Sequence, residues 1–385
     1  MLKKFMVENY MNFKEKIEID FEKVGGYQFN SSCITNSLIS IMLIYGRNAT
    51  GKTNFVNAIA DITLSNIYFL FGIGNRYENS NFLNADSDVD YANFTYLFRF
   101  GEDEISYNYS KYSPTSYKSE RLELNNKCVF DFSYDKGEFN QSNLELISAE
   151  TIMKDRFLQS INKDDVSDES ETSLCFLRWL FANAAFAAGS PMYEMRDFIS
   201  KMRVVRFGYA VTIRNHKDTF LNLLEKKEEL DKFESFLNDM GVECTLKVKI
   251  LPDGSNQLYF KHKKLIPFFE TASSGTLALY NFYRRFVINM QNMRFCLFDE
   301  FDAFFHYEMS ERFLQYCKQN YPDCQMIFTT HNTNLMNNYL MRPDCLFILS
   351  RDGRLTPLNL ATTRELREGH NLEKMYKSGE FEKYE

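Results

Sequence analysis

The 385-residue chain carries 45 basic and 52 acidic side chains, a formal net charge of −7, with 44% hydrophobic and 25% charged residues. That balance fits a globular fold with an ample core and argues against a surface that coats nucleic acid throughout, leaving only a local basic groove to consider. Eight cysteines without paired spacing and five dispersed histidines argue against a disulfide framework and a structural zinc site, and for a reducing, cytoplasmic setting.

The opening Phe5–Tyr10 and the alternating Ile17–Phe21 read as two short strands, with no apolar run of the signal-peptide kind at Met1-Leu2-Lys3-Lys4. Leu38–Tyr45 reads as a buried strand and Asn54–Leu70 as a helix. Between them stands Gly46-Arg47-Asn48-Ala49-Thr50-Gly51-Lys52-Thr53, a complete G-x-x-x-x-G-K-[ST] phosphate loop in the strand–loop–helix context that the motif requires. Its glycines let successive backbone N–H groups turn inward around phosphate oxygens, and the following helix N-terminus adds partial positive charge there. Gly46, Asn48, Gly51, Lys52, Thr53 and Asn54 are the candidate nucleoside-triphosphate contacts. Lys52 is suited to the terminal phosphates and the Thr53 hydroxyl to Mg²⁺.

Residues 91–139 read as an antiparallel meander, with Phe94, Tyr96, Phe98 and Phe100 alternating out and Ile105, Tyr107 and Tyr109 alternating back. From Leu146 to Met202 the pattern is helical, interrupted by the acidic, Ser-rich stretch Asn162–Thr172. The longest apolar stretch, Phe176–Gly189, is too short to span a bilayer and contains Arg178, so no membrane is expected. Phe220, Leu223, Leu230, Phe233, Phe236 and Met240 are spaced for one helix face, closed by Gly241, before the hairpin pattern Val242–Ile250, Pro252-Asp253-Gly254 and Leu258–Phe260. The remainder alternates helix and strand, with Phe295–Phe298, Gln325–Phe328 and Cys345–Leu349 as apolar strands of the parallel-sheet kind.

Phe295–Phe298 runs directly into Asp299-Glu300. A strand-end Asp suits water-mediated support of Mg²⁺, and the next carboxylate suits orienting or deprotonating an attacking water. Before it, Glu270–Thr276 holds a Ser-x-Gly turn at a helix start. After it, Phe328-Thr329-Thr330-His331-Asn332 places a histidine beyond the next strand. Taken alone, these last two segments read as an ordinary helix cap and a lone loop histidine.

The order of these segments resembles the ABC-type ATPase heads of the SMC and RecF kind. Within that group it resembles the phage-defence and abortive-infection ATPases of the RloA, AbiLi and PARIS AriA type, through Asp299–His306, Thr329–Met336 and the tail Gly369–Phe381. The resemblance implies an α/β fold: a phosphate-loop ABC-ATPase head with an antiparallel β lobe and a helical insertion. It divides the chain into 1–145, the first half of the core; 146–217, the helical insertion; and 218–385, the second half.

The resemblance implies ATP and Mg²⁺ as cofactors, with Lys52 and Thr53 on phosphate and metal and Asp299 supporting the metal. Glu300 and His331 are the catalytic pair, the histidine sensing the γ-phosphate. Asp302 lies where two heads meet, and Ser273 and Gly275 reach the γ-phosphate of an opposite subunit. The implied partners are a second copy of the chain and a separate effector, such as a Toprim-type nuclease. Two alternatives are a repair ATPase acting directly on DNA and an ATP-gated scaffold that hardly hydrolyses. No glutamine identifies itself as the Q-loop residue. Arg196, Lys201, Arg203, Arg206, Arg214 and Lys217, with Phe207 and Tyr209 among them, and Lys261, Lys263 and Lys264 could form a basic groove. Solvated faces are the favoured reading of both runs.

Overall fold

The computed structural model describes residues 1–63, 82–161, 174–207 and 219–385. Five strands lie side by side and parallel in the order Met202–Arg206, Phe295–Asp299, Gln325–Thr330, Ile41–Tyr45 and Leu346–Leu349, with Leu355–Pro357 antiparallel at the edge. The last four of the parallel strands are buried at every residue, which is why their sequences are continuous apolar runs rather than alternations. Register sets Arg206 beside Asp299 and Thr330 beside Tyr45, so the carboxyl ends of the strands form one rim. That rim is where parallel α/β sheets carry their ligands.

A second sheet of seven antiparallel strands has the order Glu138–Ser142, Lys127–Ser133, Tyr117–Leu124, Asp103–Lys111, Ala92–Phe100, Leu2–Glu8 and Ile17–Asp20. The predicted meander is present, and the two N-terminal strands complete its sheet. Ala92, Phe94, Tyr96 and Phe98 face inward, and Phe94 stacks on Tyr109 across the strand pair at 5.0 Å. Gln325, fully buried, fastens the two sheets together. It accepts from the Leu2 N–H at 3.0 Å and donates to the Leu2 and Ile39 carbonyls at 3.0 and 3.1 Å.

The helical segment contains Met153–Ile161, Phe176–Asn183 and Pro191–Ser200. It docks on the antiparallel sheet through buried Glu120, which accepts from the Tyr107 and Tyr134 hydroxyls, the Cys175 thiol and the Phe176 N–H. Burial pushes the Glu120 carboxyl above the usual carboxylate range. Met202–Arg206 follows directly and returns to the parallel sheet as an edge strand, although helical periodicity extended to Met202 in the sequence.

Other elements differ from the sequence reading in length. The phosphate-loop helix spans Lys52–Ala60 and passes into a 3₁₀ turn, Asp61–Thr63. The face expected from Phe220 to Met240 is two helices, Thr219–Leu223 and Lys227–Asp239, closed by Gly241 at φ 86°. The hairpin gains a third strand, Leu265–Pro267. The acidic stretch Asn162–Thr172, the expected helix beyond Thr63, and Tyr209, Arg214 and Lys217 lie outside the described residues. All eight cysteines are unpaired, and no helix among the described residues is long and apolar enough to cross a membrane.

Candidate nucleotide site

The phosphate loop closes the rim at the end of Ile41–Tyr45. Ala49 and Gly51 adopt left-handed conformations, φ 64° and 97°, which turn the chain around a cradle and into the helix starting at Lys52. The cradle tolerates no side chain at its glycines. A Cβ on Gly46 would lie 2.4 Å from Thr50 Oγ1, and one on Gly51 would lie 2.2 Å from Asn12 Nδ2. Asn12, which the sequence reading did not single out, braces the loop. Its Nδ2 donates to the Thr50 carbonyl at 3.2 Å, and its Oδ1 accepts from Asn54 Nδ2 at 2.7 Å.

Lys52 is 4% exposed, and its Nζ donates to the Gly46 and Arg47 carbonyls at 2.8 and 3.1 Å. Burial pushes its pKa down, and the charges of Glu300, Asp299 and Asp302 act against that shift. Asn48 lies exposed on the outer part of the loop, and Arg47 forms an ion pair with Glu385.

Lys52 and Asp299 stand 247 positions apart in sequence (299 − 52), yet the sheet brings their segments together. Thr53 Oγ1 donates to Asp299 Oδ1 at 3.2 Å, and Thr329 Oγ1 donates to the same oxygen at 3.0 Å. Asp299 Oδ2 accepts from Arg206 Nε at 3.1 Å. The Thr329 hydroxyl also accepts from the Glu300 backbone N–H at 2.8 Å, and Glu300 is held left-handed at φ 49°. That conformation is uncommon for a residue with a side chain and is found where a fold fixes a functional group. Thr330 performs a parallel task, donating to Asp302 Oδ2 at 2.7 Å. The two threonines preceding His331 thus hold the acidic turn, a role with no signal in the sequence beyond their position.

Thr329→Val is expected to destabilise the protein by about 1–3 kcal/mol in urea denaturation, because it leaves a partly buried N–H and a buried carboxylate oxygen short of partners. Thr329→Ser should restore most of the loss.

The remaining sequence candidates divide between exposed positions, packing positions and one member of this cluster. His331 is exposed. Ser273 caps its own helix, Ser274–Arg285, accepting from the Thr276 N–H at 3.1 Å, and its side chain lies at an exposed position. Gly275 packs where a Cβ would meet the Phe304 carbonyl at 2.9 Å, on the loop that follows the acidic turn. The basic run divides. Arg206 belongs to the Asp299 cluster, Arg203 bonds the Ser200 and Met202 carbonyls, and Lys201 pairs with Asp197 at 2.6 Å. The Phe207 ring packs against Phe282, Phe305 and Phe313, so it is not a base-stacking platform.

A phosphate-loop α/β fold with its Lys, Thr and strand-end Asp on one rim defines the class of nucleotide-binding ATPases. Residues 41–337 match the family described as "AAA domain, putative AbiEii toxin, Type IV TA system", and the chain belongs to it. Solved structures similar to the chain include the SmcHead bound to the C-winged helix domain of ScpA (14% identity, 92% of this chain and 96% of that one, TM-score 0.47). Another is the SMC head domain from Thermotoga maritima (15%, 92% and 98%, TM-score 0.44). A third is the Smc head domain with an extended coiled coil bound to the C-terminal domain of ScpA from Pyrococcus furiosus (14%, 92% and 95%, TM-score 0.44). These distant likenesses say nothing about activity. No curated protein matches the chain.

Proposed function

We propose that the protein is an ATP-binding and ATP-hydrolysing switch that closes with a second copy of itself and controls a separate effector in a defence response. The observation that carries this reading is the 3.2 Å bond between Thr53 and Asp299, which joins the two halves of a nucleotide site at one rim. The donor set fits Mg²⁺, a hard cation that takes oxygen ligands: the Thr53 hydroxyl directly, and Asp299 through water. Bound there, the metal would neutralise charge on the phosphates.

In this reading Lys52 leaves the loop carbonyls for the terminal phosphates, and the inward-turned N–H groups of residues 46–53 hold the others. Glu300 orients the attacking water and takes its proton. His331 lies after the strand next to Asp299 and contacts the terminal phosphate. Ser273 and Gly275 meet the nucleotide of the opposite copy, which suits the exposed position of Ser273. Each γ-phosphate then favours the closed pair and its hydrolysis loosens it. The family's description, "putative AbiEii toxin, Type IV TA system", supports a place in defence. In this reading the effector is a nuclease and the helical segment 146–217 its docking surface, since insertions on a rigid scaffold commonly carry such specificity.

Lys52→Ala is expected to weaken ATP binding by roughly two orders of magnitude, since it removes the buried charge that meets the phosphates. Equilibrium binding of a fluorescent ATP analogue measures this. Wild-type affinity in the variant would sink the reading.

A further inference from the structure

We propose that Arg206 competes with the metal for Asp299 and so sets the Mg²⁺ concentration at which the site loads. This rests on the nucleotide reading above and concerns a residue that reading does not use. Asp299 Oδ1 already accepts two hydroxyls, from Thr53 and Thr329, which leaves Oδ2 as the oxygen turned to another partner. Arg206 Nε occupies it at 3.1 Å. Another nitrogen of the same guanidinium donates to Asn57 Oδ1, on the phosphate-loop helix, so the cation bridges the two halves of the site.

The placement is rigid. Arg206 and Asp299 are register partners on adjacent parallel strands. The next residue, Phe207, is held by the rings of Phe282, Phe305 and Phe313 at 5.7, 5.0 and 5.5 Å. A guanidinium is charged at every working pH and cannot retreat by losing its proton. A divalent cation supported by Asp299 would therefore meet a fixed positive charge on the carboxylate that supports it. The arginine neutralises Asp299, keeps its carboxylate aimed at Thr53, and opposes the metal until the nucleotide's negative charge outweighs it.

The test is binding of a non-hydrolysable fluorescent ATP analogue to the full chain, titrated with MgCl₂. It compares wild type, Arg206→Gln and Arg206→Lys, with folding checked by circular dichroism. Arg206→Gln is expected to lower the Mg²⁺ midpoint about tenfold, the order expected for removing one nearby charge in a partly buried site. Arg206→Lys, which keeps the charge but loses the forked bridge, should fall between. With EDTA present, loss of the same charge should leave the analogue's affinity equal or weaker, so that the gain appears only with Mg²⁺; a merely structural role would not give this reversal of sign. An unchanged or raised midpoint in folded Arg206→Gln, beside a wild type that shows Mg²⁺-dependent binding, overturns the competition and leaves the nucleotide reading standing. A wild type that binds no analogue at any Mg²⁺ level overturns both. Should Arg206→Gln not fold, Asn57→Ala loosens the same bridge and must lower the midpoint; a midpoint that stays or rises there overturns the proposal.

Discussion

Glu300→Gln is expected to bind ATP as the wild type does and to hydrolyse it about 10²–10⁴-fold more slowly, the usual contribution of a positioned general base. The amide keeps the shape of the carboxylate but cannot accept a proton. The backbone that aims it is unaffected, because the left-handed φ of 49° and the 2.8 Å bond from its N–H to Thr329 do not involve the side chain's charge. A stalled site should also hold the closed pair of heads, so sedimentation of this variant should show a mass increase on adding ATP. Steady-state phosphate release measures the first effect. Equal turnover in both proteins would remove Glu300 from the catalytic role, and an unchanged mass would count against the switch.

Lys111→Met is expected to destabilise the protein by about 3–5 kcal/mol, because it strands a buried carboxylate. Lys111 is fully buried, and its Nζ donates to both oxygens of Asp61 at 3.0 and 3.1 Å. Asp61 is 2% exposed and is otherwise met by the Tyr109 hydroxyl at 2.7 Å. It stands at the C-terminal end of the phosphate-loop helix, where the helix dipole opposes a negative charge. The rings of Phe82 and Tyr117, 5.5 and 5.2 Å from Nζ, line the rest of the ammonium's surroundings. The pair ties the antiparallel sheet to the back of the helix whose front bears Lys52. Urea denaturation of Lys111→Met, Asp61→Asn and the double variant tests this. The double variant should recover most of the loss, since removing both charges removes the unpaired one. A loss under 1 kcal/mol in the single variant would mean that water reaches Asp61.

The distribution of what the sequence revealed follows from the range of the forces involved. The phosphate loop was legible because its requirements are local: two glycines where a Cβ would strike Thr50 or Asn12, and a lysine and threonine at fixed offsets on one helix turn. Asp299-Glu300 was legible because a fully buried strand writes itself as an apolar run and the acids mark its end. The meander and the hairpin were legible through their period of two. The short edge strand Met202–Arg206 was not, because its pattern of burial is mixed and its pairing lies with residues more than ninety positions away.

The same distance hid the individual partners. Arg206 looked like one cation in a basic run, and only sheet register made it the neighbour of Asp299. Thr329 and Thr330 stood out only as the residues before His331, and Asn12 not at all; each is a brace through contacts that no local pattern encodes. The sequence by itself determined the phosphate-loop motif, the acids that end the Phe295–Asp299 strand and the alternation of strand and helix, because hydrophobic period and backbone sterics act over a few residues. The tertiary structure alone decided which side chains neutralise, orient and oppose one another at the rim, because hydrogen bonds and charges between residues 30 to 246 positions apart depend on sheet order, which no short stretch of chain contains.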